Sequence, residues 1–176
     1  MAYPYSLIVG SGGTLYGGSS NGVYGQGMIY ALSPPLSPGA PWTEQAIYNF
    51  TGIADGSVPL SLIARPNGAL YGTTVLGGTF GNGALFQLTP PSKPYLAWLQ
   101  TVLFNFNLGI QNFSDDAAIS LYSDGVIYGT ADLADGSGII QLQPAPGGTW
   151  TETAIYTFSP NGSVLSSQLI LRDGNL

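Results

Sequence analysis

Apolar and polar residues alternate in short segments along this chain, and no segment repeats apolar residues at helical spacing. The most regular stretch covers residues 42–50, where alternate positions place Trp42, Ala46, Tyr48 and Phe50 on one face of a strand. Gly or Pro interrupts every window that would otherwise suit a helix. The pattern therefore predicts an all-β protein.

The same segments recur in the same order, so the chain is an internal repeat. The pattern of residues 42–50 returns without gaps at 98–106 and 150–158. The motif of an apolar residue followed by Tyr-Gly occurs three times, at Tyr16, Tyr71 and Tyr128, and the intervals are 55 and 57 residues. A hairpin signal and a short apolar run precede each Tyr-Gly, and a Gly-rich stretch, an alternating segment and Pro follow it.

Each repeat therefore predicts four antiparallel strands, A to D, as in a β-propeller blade. We expect one domain over 1–176, an arc of three four-stranded blades with an extra C-terminal strand. The repeats are predicted at 5–59, 60–117, 118–168 and, in part, 169–176. Strand A should lie innermost and strand D outermost, with its aromatic face against a neighbouring blade. A three-repeat sandwich or a β-prism is the alternative.

Three blades would leave two apolar blade faces exposed, and such faces mark interaction sites. Propellers close with about four to eight blades. Two copies joined head to tail give six blades, within this range, whereas three copies give nine. We therefore expect a homodimer that closes one ring, and we expect the unmatched strand at 169–171 to swap onto the first blade of the partner.

Composition narrows the classes of partner. The net charge is −6, and the cations are Arg65, Lys93 and Arg172 alone, so few groups are available to bind the phosphates of nucleic acid or anionic lipid. No apolar run reaches the ~18 residues that span a bilayer, and residues 1–4 lack the features of a signal peptide. The sequence predicts neither a nucleic-acid partner nor a membrane partner, and it leaves the compartment open.

The sequence contains neither Cys nor His, which excludes disulfides, thiolate chemistry and a serine–histidine triad. The remaining candidates for catalytic or metal-binding side chains are therefore the carboxylates. Asp132 and Asp135 stand three residues apart in a predicted Gly-rich loop, beside Ser137. Divalent cations such as Ca²⁺ prefer several oxygen ligands, so this pair is the candidate metal site, with simple turn formation as the alternative.

Other carboxylates have structural interpretations. Asp55 falls in a D–A loop, and clustering with Asp115 and Asp116 of the equivalent loop would raise a pKa or hold a cation; a polar loop is the alternative. Glu44 and Glu152 share one position in strand D, where we expect a solvated or edge-facing charge that discourages wrong pairing.

The repeats resemble the GloVer-type tandem repeats of bacterial extracellular proteins. In that family Gly-Asn-Leu-Tyr-Gly-Thr-Thr is followed by Gly-Gly, by Gly-x-Val-Phe-x-Leu-Thr-Pro and by Leu-Tyr-x-Phe. The second repeat matches at residues 68–74, 77–78, 83–90 and 103–106. The third repeat departs from the family, since Asp132 and Asp135 replace Gly-Gly. The resemblance implies a propeller and a secreted bacterial parent, and it implies no settled activity.

Two functions are compatible with these features. The first is a self-assembling module that binds a surface, or a small molecule or glycan in its channel. The second is a promiscuous metal-dependent hydrolase of esters, lactones or phosphotriesters, with Ca²⁺ in the channel and no catalytic residue assigned. Hydrolysis that EDTA abolishes and Ca²⁺ or Mn²⁺ restores would favour the second. The shortage of acid–base groups favours the first.

Overall fold

A computed structural model describes residues 4–93, 95–107, 119–121, 125–133 and 136–158. These residues form twelve β-strands and a 3₁₀ turn at Ser11–Gly13. No helix in this part of the chain is long and apolar enough to cross a membrane. The prediction of an all-β protein is confirmed.

The strands form three four-stranded antiparallel sheets, and each sheet takes its strands in chain order. Sheet 1 contains β1 (Pro4–Val9), β2 (Leu15–Ser19), β3 (Met28–Ser33) and β4 (Thr43–Asn49). Sheet 2 contains β5 (Ser57–Ala64), β6 (Leu70–Leu76), β7 (Ala84–Thr89) and β8 (Leu99–Asn105). Sheet 3 contains β9 (Ile119–Leu121), β10 (Ile127–Leu133), β11 (Gly136–Pro144) and β12 (Trp150–Thr157). The predicted A–B–C–D order is confirmed in all three.

The hairpin between β5 and β6 shows why the chain turns at the predicted positions. Gly68 has a φ of +83°, which a residue without a Cβ adopts at no steric cost. The Asn67 side chain accepts a hydrogen bond from the backbone N of Ala69 at 3.1 Å. The backbone N of Arg65 donates to the Ala69 carbonyl at 2.8 Å. Asn-Gly therefore closes a tight turn that pairs the two strands.

The sheets stand next to one another through their first strands. Strand β5 contacts β1 on one side and β9 on the other. The backbone N of Ile119 in β9 donates to the Ser61 hydroxyl of β5 at 3.1 Å. The buried apolar residues form two clusters, one between sheets 1 and 2 and one between sheets 2 and 3. The core of the protein thus lies between sheets.

The predicted loop over 132–138 is wrong. Strands β10 and β11 stay paired up to Leu133 and Gly136, and Asp132 lies opposite Ser137 in the ladder. In the second repeat Gly77 and Gly78, both with a φ of +75°, turn the chain out of the ladder at the corresponding place. The third repeat lacks this Gly-Gly pair, so its ladder continues. The predicted strand at 169–171 lies outside the described residues.

Candidate functional site

Each sheet has two faces, which we call the leading face, toward the preceding sheet, and the trailing face, toward the following one. The leading face of sheet 2 is apolar and packs on the trailing face of sheet 1 at the first junction. Phe50 and Phe86 meet edge to face across it, with ring centroids 5.1 Å apart. Tyr16 and Trp98 do the same at 5.9 Å. This junction also buries the leading-face residues Leu62, Leu70 and Leu88.

The second junction, between sheets 2 and 3, repeats this arrangement. Tyr71 on the trailing face of sheet 2 lies 6.4 Å from Trp150, measured between ring centroids. Phe106 and Ile140 are buried in the same cluster. The strand-D tryptophans of sheets 2 and 3 therefore pack on the preceding sheet. The prediction that Trp42, Ala46, Tyr48 and Phe50 share one face is wrong, because the β3–β4 pairing shifts between Ala46 and Tyr48 and turns the last two aromatic residues to the trailing face.

The leading face of sheet 1 has the same residue types and no covering sheet among the described residues. Leu7 is 59% exposed, whereas Leu62, at the same repeat position in sheet 2, is 3% exposed. Trp42, the counterpart of Trp98 and Trp150, is 48% exposed. An exposed apolar face of this kind marks a site of interaction.

The trailing face of sheet 3 is similarly open. Tyr156 is 56% exposed, and Phe158 is only partly buried, whereas its counterpart Phe50 is fully buried. The rings of Tyr156 and Phe158 still meet edge to face at 4.8 Å, close to the 5.0 Å between Tyr48 and Phe50. The edge-to-face aromatic pair that sheet 1 presents to sheet 2 is therefore also formed in sheet 3.

Asp55 is held within its own loop. Thr51 donates from its hydroxyl at 2.6 Å and from its backbone N at 2.8 Å, and Tyr48 donates from its hydroxyl at 2.9 Å. Partial burial acts to raise the pKa of Asp55, but these hydrogen bonds outweigh it and lower the pKa below its usual value. Burial, and then the contact with Asp55, raise the pKa of Tyr48. The pKa of Asp55 is therefore lowered by its own loop, whereas Asp115 and Asp116 lie outside the described residues, so their clustering with Asp55 stays a prediction.

The strand-D position that Glu44, Gln100 and Glu152 occupy has a different environment in each of the three sheets. Glu44 is exposed on the open leading face of sheet 1. Gln100 at the first junction donates from its side-chain N to the Asp55 carbonyl at 3.2 Å. Glu152 at the second junction is partly buried, and this burial raises its pKa from 4.5 to about 7. The expectation of a solvated charge is wrong for Glu152, because its face meets the preceding sheet.

The correspondence of the three repeats extends from strand order to individual junction residues. A family model described as the Gloeobacter/Verrucomicrobia repeat matches residues 1–176. The chain belongs to this family. Comparison with curated proteins and with solved structures finds no match. The resemblance carried by Tyr-Gly and its flanking segments is thereby confirmed.

The third repeat of this chain contains the two predicted metal ligands, Asp132 and Asp135. Asp132 lies in β10, one residue from the end of the strand, and its side chain is outside the described set. Asp135 is also outside the described residues. Among the described residues no group of three or more Asp or Glu side chains could hold a metal ion. The Asp132–Asp135 pair stays a prediction.

The first junction of this repeat protein contains a cavity that the sequence patterns did not indicate. Its volume is about 340 Å³, and it lies at the A–B hairpins of sheets 1 and 2. Its lining includes Gly10 and Tyr16 from the first repeat and Ala64, Arg65 and Leu70 from the second.

Proposed function

We propose that the chain is a β-propeller repeat module that closes a ring by head-to-tail association of two copies. The leading face of sheet 1 in one copy packs on the trailing face of sheet 3 in the other, and the reverse contact closes the ring. Six sheets result, within the range of about four to eight that propellers use. The observation that carries this proposal is the exposure of Leu7 beside the burial of Leu62.

The residue types at the two open faces support the pairing. Leu7, Leu15 and Trp42 on the leading face of sheet 1 correspond to Leu62, Leu70 and Trp98, which are packed at the first junction. The trailing face of sheet 3 presents Tyr156 and Phe158 to receive them, as sheet 1 presents Tyr48 and Phe50 to sheet 2. A second copy therefore supplies the contacts that both internal junctions already use.

Binding is the function we propose for the closed ring, with a small molecule or glycan as the ligand in its channel. The sequence has no His or Cys, so acid–base chemistry would fall on a few carboxylates. Asp55 is engaged by Thr51 and Tyr48, and Glu152 packs in a junction. These carboxylates support the structure of the junctions, which favours binding over hydrolysis.

Light scattering after size exclusion tests the assembly. The chain of 18.3 kDa should elute at twice that mass at micromolar concentration, and Leu7→Asp should elute as a single chain. Leu36→Asp is the matched control, because Leu36 is fully exposed between β3 and β4, away from both faces. A monomeric parent chain, or a Leu7→Asp variant that stays dimeric, would overturn the proposal.

Mixing two variants tests the direction of association. Leu7→Asp damages the leading face of sheet 1 and keeps the trailing face of sheet 3, whereas Tyr156→Asp does the opposite. Each variant alone should be monomeric, but the mixture should form a heterodimer through the one junction in which both faces are intact. A mixture that stays monomeric would contradict head-to-tail pairing.

A further inference from the structure

The strand-D position of Glu44, Gln100 and Glu152 is the same in all three sheets down to its pairing. The residue stands opposite a strand-C leucine each time: Glu44 opposite Leu32, Gln100 opposite Leu88 and Glu152 opposite Leu142. It follows the strand-D Trp by two residues, so both side chains lie on the leading face. The surroundings of Gln100 and Glu152 at the two junctions therefore indicate what Glu44 meets when a second copy covers sheet 1.

The first junction places a hydrogen-bond acceptor at this position. The side-chain N of Gln100 donates at 3.2 Å to the backbone carbonyl of Asp55, in the loop between sheets 1 and 2. A carbonyl oxygen and an ionised carboxylate both only accept hydrogen bonds, so a carboxylate in place of the Gln100 amide would leave this carbonyl without a donor. A protonated carboxyl has an O–H group and can donate as the amide does. The position therefore suits Gln or protonated Glu.

The second junction shows the effect of burial on a carboxyl group at this position. Glu152 is partly buried, and burial raises its pKa from 4.5 to about 7. Arg65 also reaches this junction, but its guanidinium lies over the Tyr71 ring, and the pKa of Glu152 is raised nonetheless. Burial between two sheets therefore favours the neutral form of this side chain.

A second copy would bring no cation to Glu44. Sheet 1 contains no Lys, Arg or His, and neither do residues 119–168, which span sheet 3 and the segment after it. Burial, and then the charge of Glu44, raise the pKa of Tyr30, the neighbouring titratable group on sheet 1. The titratable residues within 119–168 are carboxylates and phenols: Tyr122, Asp124, Tyr128, Asp132, Asp135, Glu152 and Tyr156. Arg172 follows at the repeat position of Pro66, in the A–B hairpin and not in strand D. We therefore expect a proton, rather than a salt bridge, to neutralise Glu44 in a closed ring.

We propose that the ring takes up a proton on each Glu44 carboxylate as it closes, so that acid favours the closed ring and base opens it. This inference rests on the head-to-tail ring proposed above. The proton comes from solvent, and the resulting O–H donates to a backbone carbonyl of the other copy, as Gln100 donates to Asp55. Glu44 is exposed in the free chain and binds a proton less tightly there than in the ring. Association is therefore strongest at acid pH and weakens as the pH rises, over the range in which the free chain has lost this proton and the ring still holds it.

Sedimentation equilibrium from pH 5 to pH 8, over a dilution series at constant ionic strength, measures the Kd of the dimer. The Kd of the parent chain should rise about a hundredfold between pH 5 and pH 7, because two carboxylates in the ring each hold part of a proton. Glu44→Gln should dimerise with a Kd that changes less than about threefold over the same range, since Gln100 shows that an amide fits this position.

Glu152→Gln is the matched control, because Glu152 has the same repeat position at a junction within the chain. It should leave the change of the dimer Kd with pH unaltered, and circular dichroism at both ends of the pH range checks that every variant is folded. A parent dimer with the same Kd at every pH, or a Glu44→Gln dimer that keeps the pH dependence of the parent, would overturn proton uptake and leave the ring standing. If the parent chain and Glu44→Gln were both monomeric at every pH, ring closure itself would be overturned, and proton uptake with it.

Discussion

The leading faces of sheets 1 and 2 have nearly the same residues and very different surroundings. Leu62 is buried by sheet 1, whereas Leu7 is largely exposed because no described sheet precedes it. Burial of these residues is therefore set by the neighbouring sheet, as in repeat proteins whose stability is a sum over neighbouring units. The junction, rather than the single sheet, is the stabilising unit of this protein.

Truncating the two leucines gives the largest expected contrast. Leu62→Ala should lower the free energy of unfolding by about 3 kcal/mol, because it leaves a cavity in a packed junction. Leu7→Ala should cost less than about 0.5 kcal/mol in solutions dilute enough to dissociate the proposed dimer. Urea unfolding over a dilution series measures both. The Leu7→Ala loss should grow with protein concentration, and an equal loss at all concentrations would contradict association through this face.

The next largest difference is expected at the strand-D position shared by Glu44 and Glu152, in the pH dependence of stability. Burial raises the folded pKa of Glu152 from 4.5 to about 7, so its contribution to stability is full below pH 4.5 and is lost as the pH rises through 7. Glu152→Gln should therefore stabilise the fold at pH 8 by about 1 kcal/mol, after allowance for solvent screening. Thermal unfolding from pH 4 to 8 measures this effect.

Glu44→Gln is the matched control for this measurement, since Glu44 is exposed at the same repeat position. Glu44→Gln should leave the pH dependence of thermal unfolding unchanged in monomeric chains. If Glu44→Gln and Glu152→Gln changed the pH profile equally, the second junction would not be the cause.

Asp55 should show a smaller effect of opposite sign. Its folded pKa is lowered, so its contribution is present above the unfolded value of 3.8 and is lost as the pH falls through the folded value. Asp55→Asn should destabilise the fold at pH 6 by about 0.5–1 kcal/mol, through weakened hydrogen bonds from Thr51 and Tyr48. The difference from the parent chain should shrink toward pH 3 in thermal unfolding. A constant difference would show that charge is not involved.

The order and type of the strands could be predicted because each depends on local pattern. Residues 42–50 alternate at the period of a strand, and Asn67-Gly68 has the conformational preferences of a tight hairpin. The environment of Glu152 could not be predicted in this way, because Glu44 and Gln100 occupy the same position in the repeat with different neighbours. The ladder through Asp132 was also missed, since Gly136 and Gly138 resemble the loop glycines of the other repeats.

The sequence by itself determined the repeat, the strands and the family, because these follow from the spacing of side chains along one chain. Only the tertiary structure decided which faces are covered, which carboxylates change their pKa and where the cavity lies. Those properties depend on the residues that meet across a junction, such as Tyr16 with Gly68 or Tyr71 with Arg65. Leu7 and Leu62 are alike in sequence, and the packing of sheets alone distinguishes them.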